Sequence, residues 1–285
     1  MKLARRLLVS SRPISWINTA FPFAAAYFFL GGEITASFWV TTFFFLIPYN
    51  LLMYGVNDVF DYESDLRNPR KGGVEGGLLP PELHRATLLV VAIVSLPFIA
   101  YIAWQSATNL LALTIFIVTI YFVVAYSIRG LRYKEIPLLD SISSSIHFVG
   151  PMLFAVALVG EFDIWIVTSS LAFFLWGAAS HAFGAVQDIR ADRAAGIASI
   201  ATALGAARTI RLAFALYLVA GVSLLFLPDR FAFASIAAIP YLLVIARSFD
   251  VTDANCEEAN KGWRLFLALN FFAGALVTSL LIGPM

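Results

Sequence analysis

An all-α, polytopic membrane protein is the fold class this sequence predicts, and three observations carry that reading. Sixty per cent of its 285 residues are hydrophobic and only 13% are charged, with a mean hydropathy of +0.84, outside the usual range of soluble domains. The apolar residues gather into about nine stretches, each near the length of about 20 residues that a spanning helix needs. Basic residues are one-sided: eighteen of the nineteen Lys and Arg fall in the N-terminal tail or in the connections after the second, fourth, sixth and eighth stretches, leaving Arg230 in the other set.

The stretches lie near residues 13–31, 37–57, 85–104, 108–127, 138–160, 163–186, 209–227, 231–249 and 263–283. Ahead of the first, "MKLARRLLVSSRPISW" carries Lys2, Arg5, Arg6 and Arg12 but no small-residue cleavage site at the spacing of a secretory signal, so it reads as the cytoplasmic cap of a retained helix. Later basic clusters are Arg67, Arg70, Lys71 and Arg85; Arg129, Arg132 and Lys134; Arg190, Arg193, Arg208 and Arg211; and Arg247, Lys261 and Arg264. By the positive-inside rule these connections and the N-terminus are cytoplasmic, and an odd number of spans carries the C-terminus to the outside of the cell membrane. Pro48, Pro97, Pro151 and Pro240 fall inside apolar stretches, where neighbouring helices re-satisfy freed carbonyls and kinks are expected. No linker-like composition divides the chain, so residues 1–285 read as one domain. A net charge of +1 offers nothing to nucleic acid, and a single cysteine, Cys256, excludes an intrachain disulfide.

The second stretch ends in "NDVFDYESD", residues 57–65. If the helix runs through it, Asn57, Asp61 and Asp65 recur every four residues, and Asp58 stands three before Asp61, so one face carries all four. Like charges at that spacing repel unless cations lie among them, and hard oxygen donors with an amide suit Mg2+ rather than zinc. At the end of the sixth stretch "QDIRADRAAG" repeats the pattern with Asp188 and Asp192. Mg2+ held by few carboxylates completes its shell with water and phosphate oxygens, which makes a diphosphate the natural ligand of two acidic faces on one membrane side. Arginine and lysine in "LRNPRKGG" and "IRGLRYKE" suit its outer oxygens, although the positive-inside rule alone would also put them there.

These residues resemble the UbiA superfamily of intramembrane prenyltransferases. Its NDxxDxxxD motif is matched by Asn57, Asp58, Asp61 and Asp65, and its DxxxD motif by Asp188 and Asp192; helix number and motif placement agree along nearly the whole chain. Within the superfamily, "SSRPISWINTAFP" and "FFLIPYNLLMYGVNDVFDYESDLRNPRKGGVEGGLLP" look like the bacterial lycopene elongases, which make C50 carotenoids. One departure is plain. Many members place Tyr and Lys eight and four residues before the first Asp of the second motif, where this chain has Ser180 and Gly184. The diphosphate would then rest on Arg12, Arg70, Lys71, Arg129 or Lys134, with Arg70 and Lys134 matching the family's loop positions most nearly.

The resemblance implies Mg2+ as cofactor, two ions being expected, with dimethylallyl diphosphate as donor and lycopene as acceptor. Asn57, Asp61, Asp65, Asp188 and Asp192 would hold metal, and Asp58, Asp61, Asp188 and His181 would serve the chemistry. Metal and cationic side chains would offset charge on the leaving diphosphate, and lycopene's terminal double bond would attack the allylic cation in a site sheltered from bulk water. Capture by water or loss of a proton would end the reaction, and the resemblance favours water.

Other residues carry two readings each. Tyr49, Tyr54, Phe60, Trp176 and Phe183 suit a carbocation by their ring faces or serve as ordinary packing, and Tyr54 and Phe183 are candidates to close the donor pocket behind a five-carbon chain. His181, seven residues before Asp188, positions water or accepts a proton, or is a hydrogen-bonded structural residue; His147 has the weaker claim. Asn50 lines the cavity or ties two helices. "KGGVEGG" folds over the donor or is a surface loop.

Three alternatives compete. A quinone precursor or chlorophyllide as acceptor keeps the metal site, but an aromatic acid calls for a buried basic partner, and basic residues occur only at the ends of the apolar stretches. A cation transporter would set its carboxylates near the bilayer midplane. A CDP-alcohol phosphotransferase needs a DGxxAR element that both acidic stretches lack.

Overall fold

The computed structural model describes residues 3–66 and 77–283, in which every regular element is helical. The chain opens with α1 (Leu3–Ser10), α2 (Ile17–Phe29), α3 (Ala36–Leu46), α4 (Pro48–Phe60) and α5 (Tyr62–Asp65). After the undescribed residues come α6 (His84–Gln105), α7 (Leu110–Ala125), α8 (Leu139–Val159), α9 (Ile164–Val186) and α10 (Ile189–Ala195). The last elements are α11 (Ile200–Leu204), α12 (Ala206–Leu224), α13 (Ala238–Ala246) and α14 (Ala259–Ile282). Each of the nine expected stretches coincides with helix. Among the described residues seven helical runs are long and apolar enough to cross a membrane, and α2 and α7 are shorter apolar helices, so length does not confirm the expected count of nine spans. Trp104, Leu110 and Phe226 stand 70%, 73% and 71% exposed, a placement that water penalises and lipid tails accept.

The expected kink at Pro48 is a break. Pro48 has no N–H to continue the ladder, and Ile47 leaves helical geometry at φ −117°, ψ −61°. Buried Asn50 repairs the gap: its Nδ2 donates to the carbonyls of Phe45 and Leu46 at 3.0 Å each and to Thr19 Oγ1 at 2.7 Å, and Thr19 Oγ1 donates to Phe45 O at 2.7 Å. Ser95 Oγ reaches Pro48 O from α6. Pro97 and Pro151 lie within continuous helices, while Pro240 follows a 3-10 run over Asp229–Ala237 that leads into α13.

The chain divides into two compact units, Met1–Tyr133 with Gly150–Gly160, and Lys134–Val149 with Glu161–Met285, so one of the three boundaries falls inside α8. The first unit is built on aromatic rings: Phe23, Phe44, Phe45, Phe116 and Phe154 are buried, with Phe23 stacked on Phe154 at 6.0 Å and Phe44 edge-on to Phe116 at 5.9 Å. Here α7 and α8 touch through Gly150, where an added Cβ would clash with the Thr119 side chain. In the second unit α9 packs on α12, and Phe183, Tyr217, Tyr241 and Phe266 fill the core, with the two tyrosine rings stacked at 4.9 Å.

Candidate active site

The first acidic motif straddles the end of α4. Asp61 caps that helix, yet its N–H reaches Asn57 O at 2.9 Å and Asp65 N–H reaches Asp61 O at 2.8 Å, so the ladder continues and the four-residue spacing persists. All three aspartates of this stretch are buried, Asp58 to 1%, Asp61 to 5% and Asp65 to 6% exposure. Carboxylates so buried need partners. Asp58 Oδ2 accepts from Ser10 Oγ at 2.7 Å and from Gly77 N–H at 3.0 Å, while its Oδ1 accepts from Arg12 at 3.4 Å. Asp61 faces Arg132 at 3.6 Å, and Arg132 also donates to Phe60 O at 3.3 Å. Asn57 donates through its Nδ2 to Ser127 Oγ at 3.0 Å, which orients the amide oxygen, the atom of this side chain that could accept or ligate.

Arg132 and the serines at 10 and 127 were not among the residues singled out from sequence. Arg132 stands in the quoted "IRGLRYKE", but three basic residues within six positions give spacing alone no means of choosing between them. In the structure Arg129 is exposed, Lys134 is half-buried in a short 3-10 turn over Tyr133–Glu135, and Arg132 meets the motif. Arg12, expected as a diphosphate anchor, meets Asp58 of the motif, and its guanidinium lies 4.1 Å over the ring of Tyr54. Arg70, Lys71 and the "KGGVEGG" loop, Gly77 excepted, lie outside the described residues.

In the second unit α9 ends at Val186, Asp188 caps α10, and Asp192 N–H bonds Asp188 O at 2.8 Å, so this pair too keeps its helical spacing. Both aspartates are half-buried. His181, on α9, lies 3.1 Å from Ser141 Oγ through Nδ1, and the fields of Asp140 and Asp188 both reach its ring. Asp140 is fully buried at the start of α8, where it accepts Ser141 N–H at 2.6 Å and, from sixty residues away, Ile200 N–H at 2.7 Å. It ties the segment after the second motif to α8, a role that no sequence spacing announced.

Both departures from the family pattern have a physical counterpart. Ser180 Oγ shares a hydrogen bond with the hydroxyl of buried Tyr217, and the Trp263 ring covers Gly184 so closely that an added Cβ would meet it at 3.2 Å. Phe183 is wholly buried against Phe266 at 5.3 Å, and Asn50 is spent on the helix break.

Among the described residues no three His, Cys, Asp or Glu side chains converge as a ready-made metal cluster. What each motif offers is a pair of carboxylates, in the first case with an oriented amide oxygen. That is an oxygen-only set with open positions, which fits Mg2+ sharing its shell with water and phosphate.

Comparison with known proteins shows the family. The UbiA prenyltransferase family pattern matches residues 19–274. A lycopene elongase/hydratase of Corynebacterium glutamicum is 49% identical over 99% of this chain and 98% of its own length. A C(50) beta-cyclic carotenoids biosynthesis protein of Dietzia sp. is 48% identical over 98% of this chain and 65% of its own length. Among solved structures, a UbiA homolog from Archaeoglobus fulgidus bound to DMAPP and Mg2+ shares the fold, with a TM-score of 0.67 at 18% identity over 95% of this chain and 99% of the other. The chain is a multi-pass membrane prenyltransferase and belongs to the UbiA prenyltransferase family.

Proposed function

We propose that this chain transfers dimethylallyl groups from dimethylallyl diphosphate to the ends of lycopene, with water closing each round. Support comes from the two oxygen-rich motifs, one beside Arg132, in a chain alike from end to end to a lycopene elongase/hydratase.

Asn57, Asp61 and Asp65, and Asp188 with Asp192, are the metal ligands in this reading. Two Mg2+ ions held there would offset the charge gathering on the leaving diphosphate. Arg12, Arg70, Lys71, Arg129 and Lys134 are the candidates to grip its outer oxygens, and Arg132 joins them through its place beside Asp61. The carbon–oxygen bond breaks with its electron pair going to the diphosphate. The terminal double bond of lycopene then supplies the pair for the new carbon–carbon bond, and the cation moves to the carotenoid. Water adds to that cation, and His181, whose Nδ1 lies 3.1 Å from Ser141 Oγ, is the candidate to position the water or accept its proton. In this reading the N-terminus faces the cytoplasm of the plasma membrane and the C-terminus lies outside, which the basic asymmetry supports.

Competition among dimethylallyl, geranyl and farnesyl diphosphates for lycopene in reconstituted membranes tests the donor. Dimethylallyl transfer should dominate; a preference for farnesyl diphosphate would overturn the donor and with it the elongase reading.

A further inference from the structure

Asp58 differs from the other acids of its motif in what surrounds it. Its two oxygens accept three hydrogen bonds, from Ser10, Arg12 and Gly77, and its side chain has no exposed surface. All three donors lie far away in sequence, 48, 46 and 19 residues respectively. Two further bonds support the same junction: Arg6 donates to Leu78 O at 3.3 Å, and Trp16 Nε1 closes the turn onto Ser11 O at 3.0 Å. Arg12 itself sits in the left-handed region at φ 49°, a conformation that residues with a Cβ hold only when tertiary contacts impose it. Here the imposing contacts are the Asp58 carboxylate and the Tyr54 ring. One N–H of that guanidinium, Nε, is buried and has no hydrogen-bond partner among the described residues.

We propose that Asp58 is a positioning residue rather than a metal ligand: it clasps α1 and the residues that follow onto the end of α4, and so holds Arg12 for the donor's diphosphate. A carboxylate accepting three hydrogen bonds has few lone pairs left for a cation, while Asn57, Asp61 and Asp65 recur at four-residue spacing without it. The N-terminal helix is thereby a working part of the site rather than a membrane-surface tail. The inference rests on the donor reading above for Arg12.

Asp58→Asn keeps an oxygen for Ser10 and Gly77 and removes the charge facing Arg12. In the purified full chain, the Mg2+ concentration giving half-maximal rate should stay within about twofold of the wild type, while the donor KM rises roughly fivefold or more. Ser10→Ala should move donor KM the same way, by about two- to fivefold, and add little on top of Asp58→Ala. Asp58→Ala should also speed tryptic cleavage after Arg5 and Arg6, whereas Asp61→Ala should not. Either of two results overturns the proposal: an Asp58→Asn protein needing tenfold more Mg2+ at unchanged donor KM, or wild-type protection from trypsin in Asp58→Ala. The trypsin comparison needs no turnover, so it decides the clasp even if the wild-type chain transfers no prenyl group, an outcome that would overturn only the function proposed above.

Discussion

The two acidic motifs have the same spacing and different surroundings. In the first, the aspartates are at most 6% exposed, and basic side chains from the N-terminal segment and from the turn after α7 come to meet them. In the second, Asp188 and Asp192 are half-buried on a helix of seven residues, and that helix sends its own arginines outward, Arg190 to Glu257 at 3.1 Å and Arg193 to Asp253 at 2.7 Å. The first motif is set in a preorganised frame of charge; the second is carried on a short helix pinned from outside. Carboxylate spacing specifies which acids share a helix face. It does not specify how firmly they are held or which cations attend them, and that depends on side chains supplied from elsewhere in the chain.

The comparison breaks most sharply where both motifs are needed. Chelating divalent metal should abolish prenyl transfer and Mg2+ should restore it. Asp61→Ala and Asp188→Ala should each lower turnover by roughly 10²–10³-fold while the protein remains folded and membrane-inserted. Wild-type turnover by either variant at ordinary Mg2+ would remove that motif from the site.

Next in size is a stability contrast between two aromatics near the motifs. Phe183 is buried among core side chains, so Phe183→Ala should cost about 3–5 kcal/mol by the scale of soluble cores, read as a lowered melting temperature. Tyr54 is only partly buried and lies under Arg12, so Tyr54→Ala should cost less in stability and more in donor selection, admitting geranyl diphosphate in competition assays. Equal thermal losses in the two variants would contradict the distinction.

Arginine substitutions sharpen the contrast further. Arg132→Ala, beside buried Asp61, should lower kcat/KM by roughly tenfold, the worth of one charge-assisted hydrogen bond of about 1.5 kcal/mol. Arg193→Ala, whose ion pair is 46% and 43% exposed, should change stability by less than about 1 kcal/mol and leave turnover nearly unchanged. A reversal of that order would mean that the second motif depends on its outer ion pairs more than the first does on its inner ones.

Much of this architecture was legible in the sequence because hydropathy and one-sided basic residues report on the bilayer rather than on tertiary contacts. The apolar stretches therefore reappear as helices at the expected places, and the acidic residues keep their four-residue spacing through the helix ends. What stayed hidden depends on residues distant in the chain. Nothing near Asp58 announces Ser10, 48 residues earlier, and nothing near Asp140 announces the Ile200 N–H that it accepts. Asn50 carried two readings, cavity lining or a tie between helices, because a polar amide in an apolar helix has both uses; its bonds to Thr19 on α2 and to the carbonyls at the break favour the tie. Arg132 was masked by its neighbours, since the positive-inside rule populates cytoplasmic turns with basic residues whether or not they meet a ligand.

The most direct measurement is the carotenoid content of a lycopene-accumulating bacterium expressing this chain, read by mass spectrometry beside the Asp61→Ala and Asp188→Ala variants at equal membrane abundance. The account predicts hydroxylated carotenoids enlarged by one and by two five-carbon units in the wild type, and lycopene alone in both variants. Unchanged lycopene in cells holding folded, membrane-inserted wild-type protein would contradict it, as would enlarged carotenoids made by either variant.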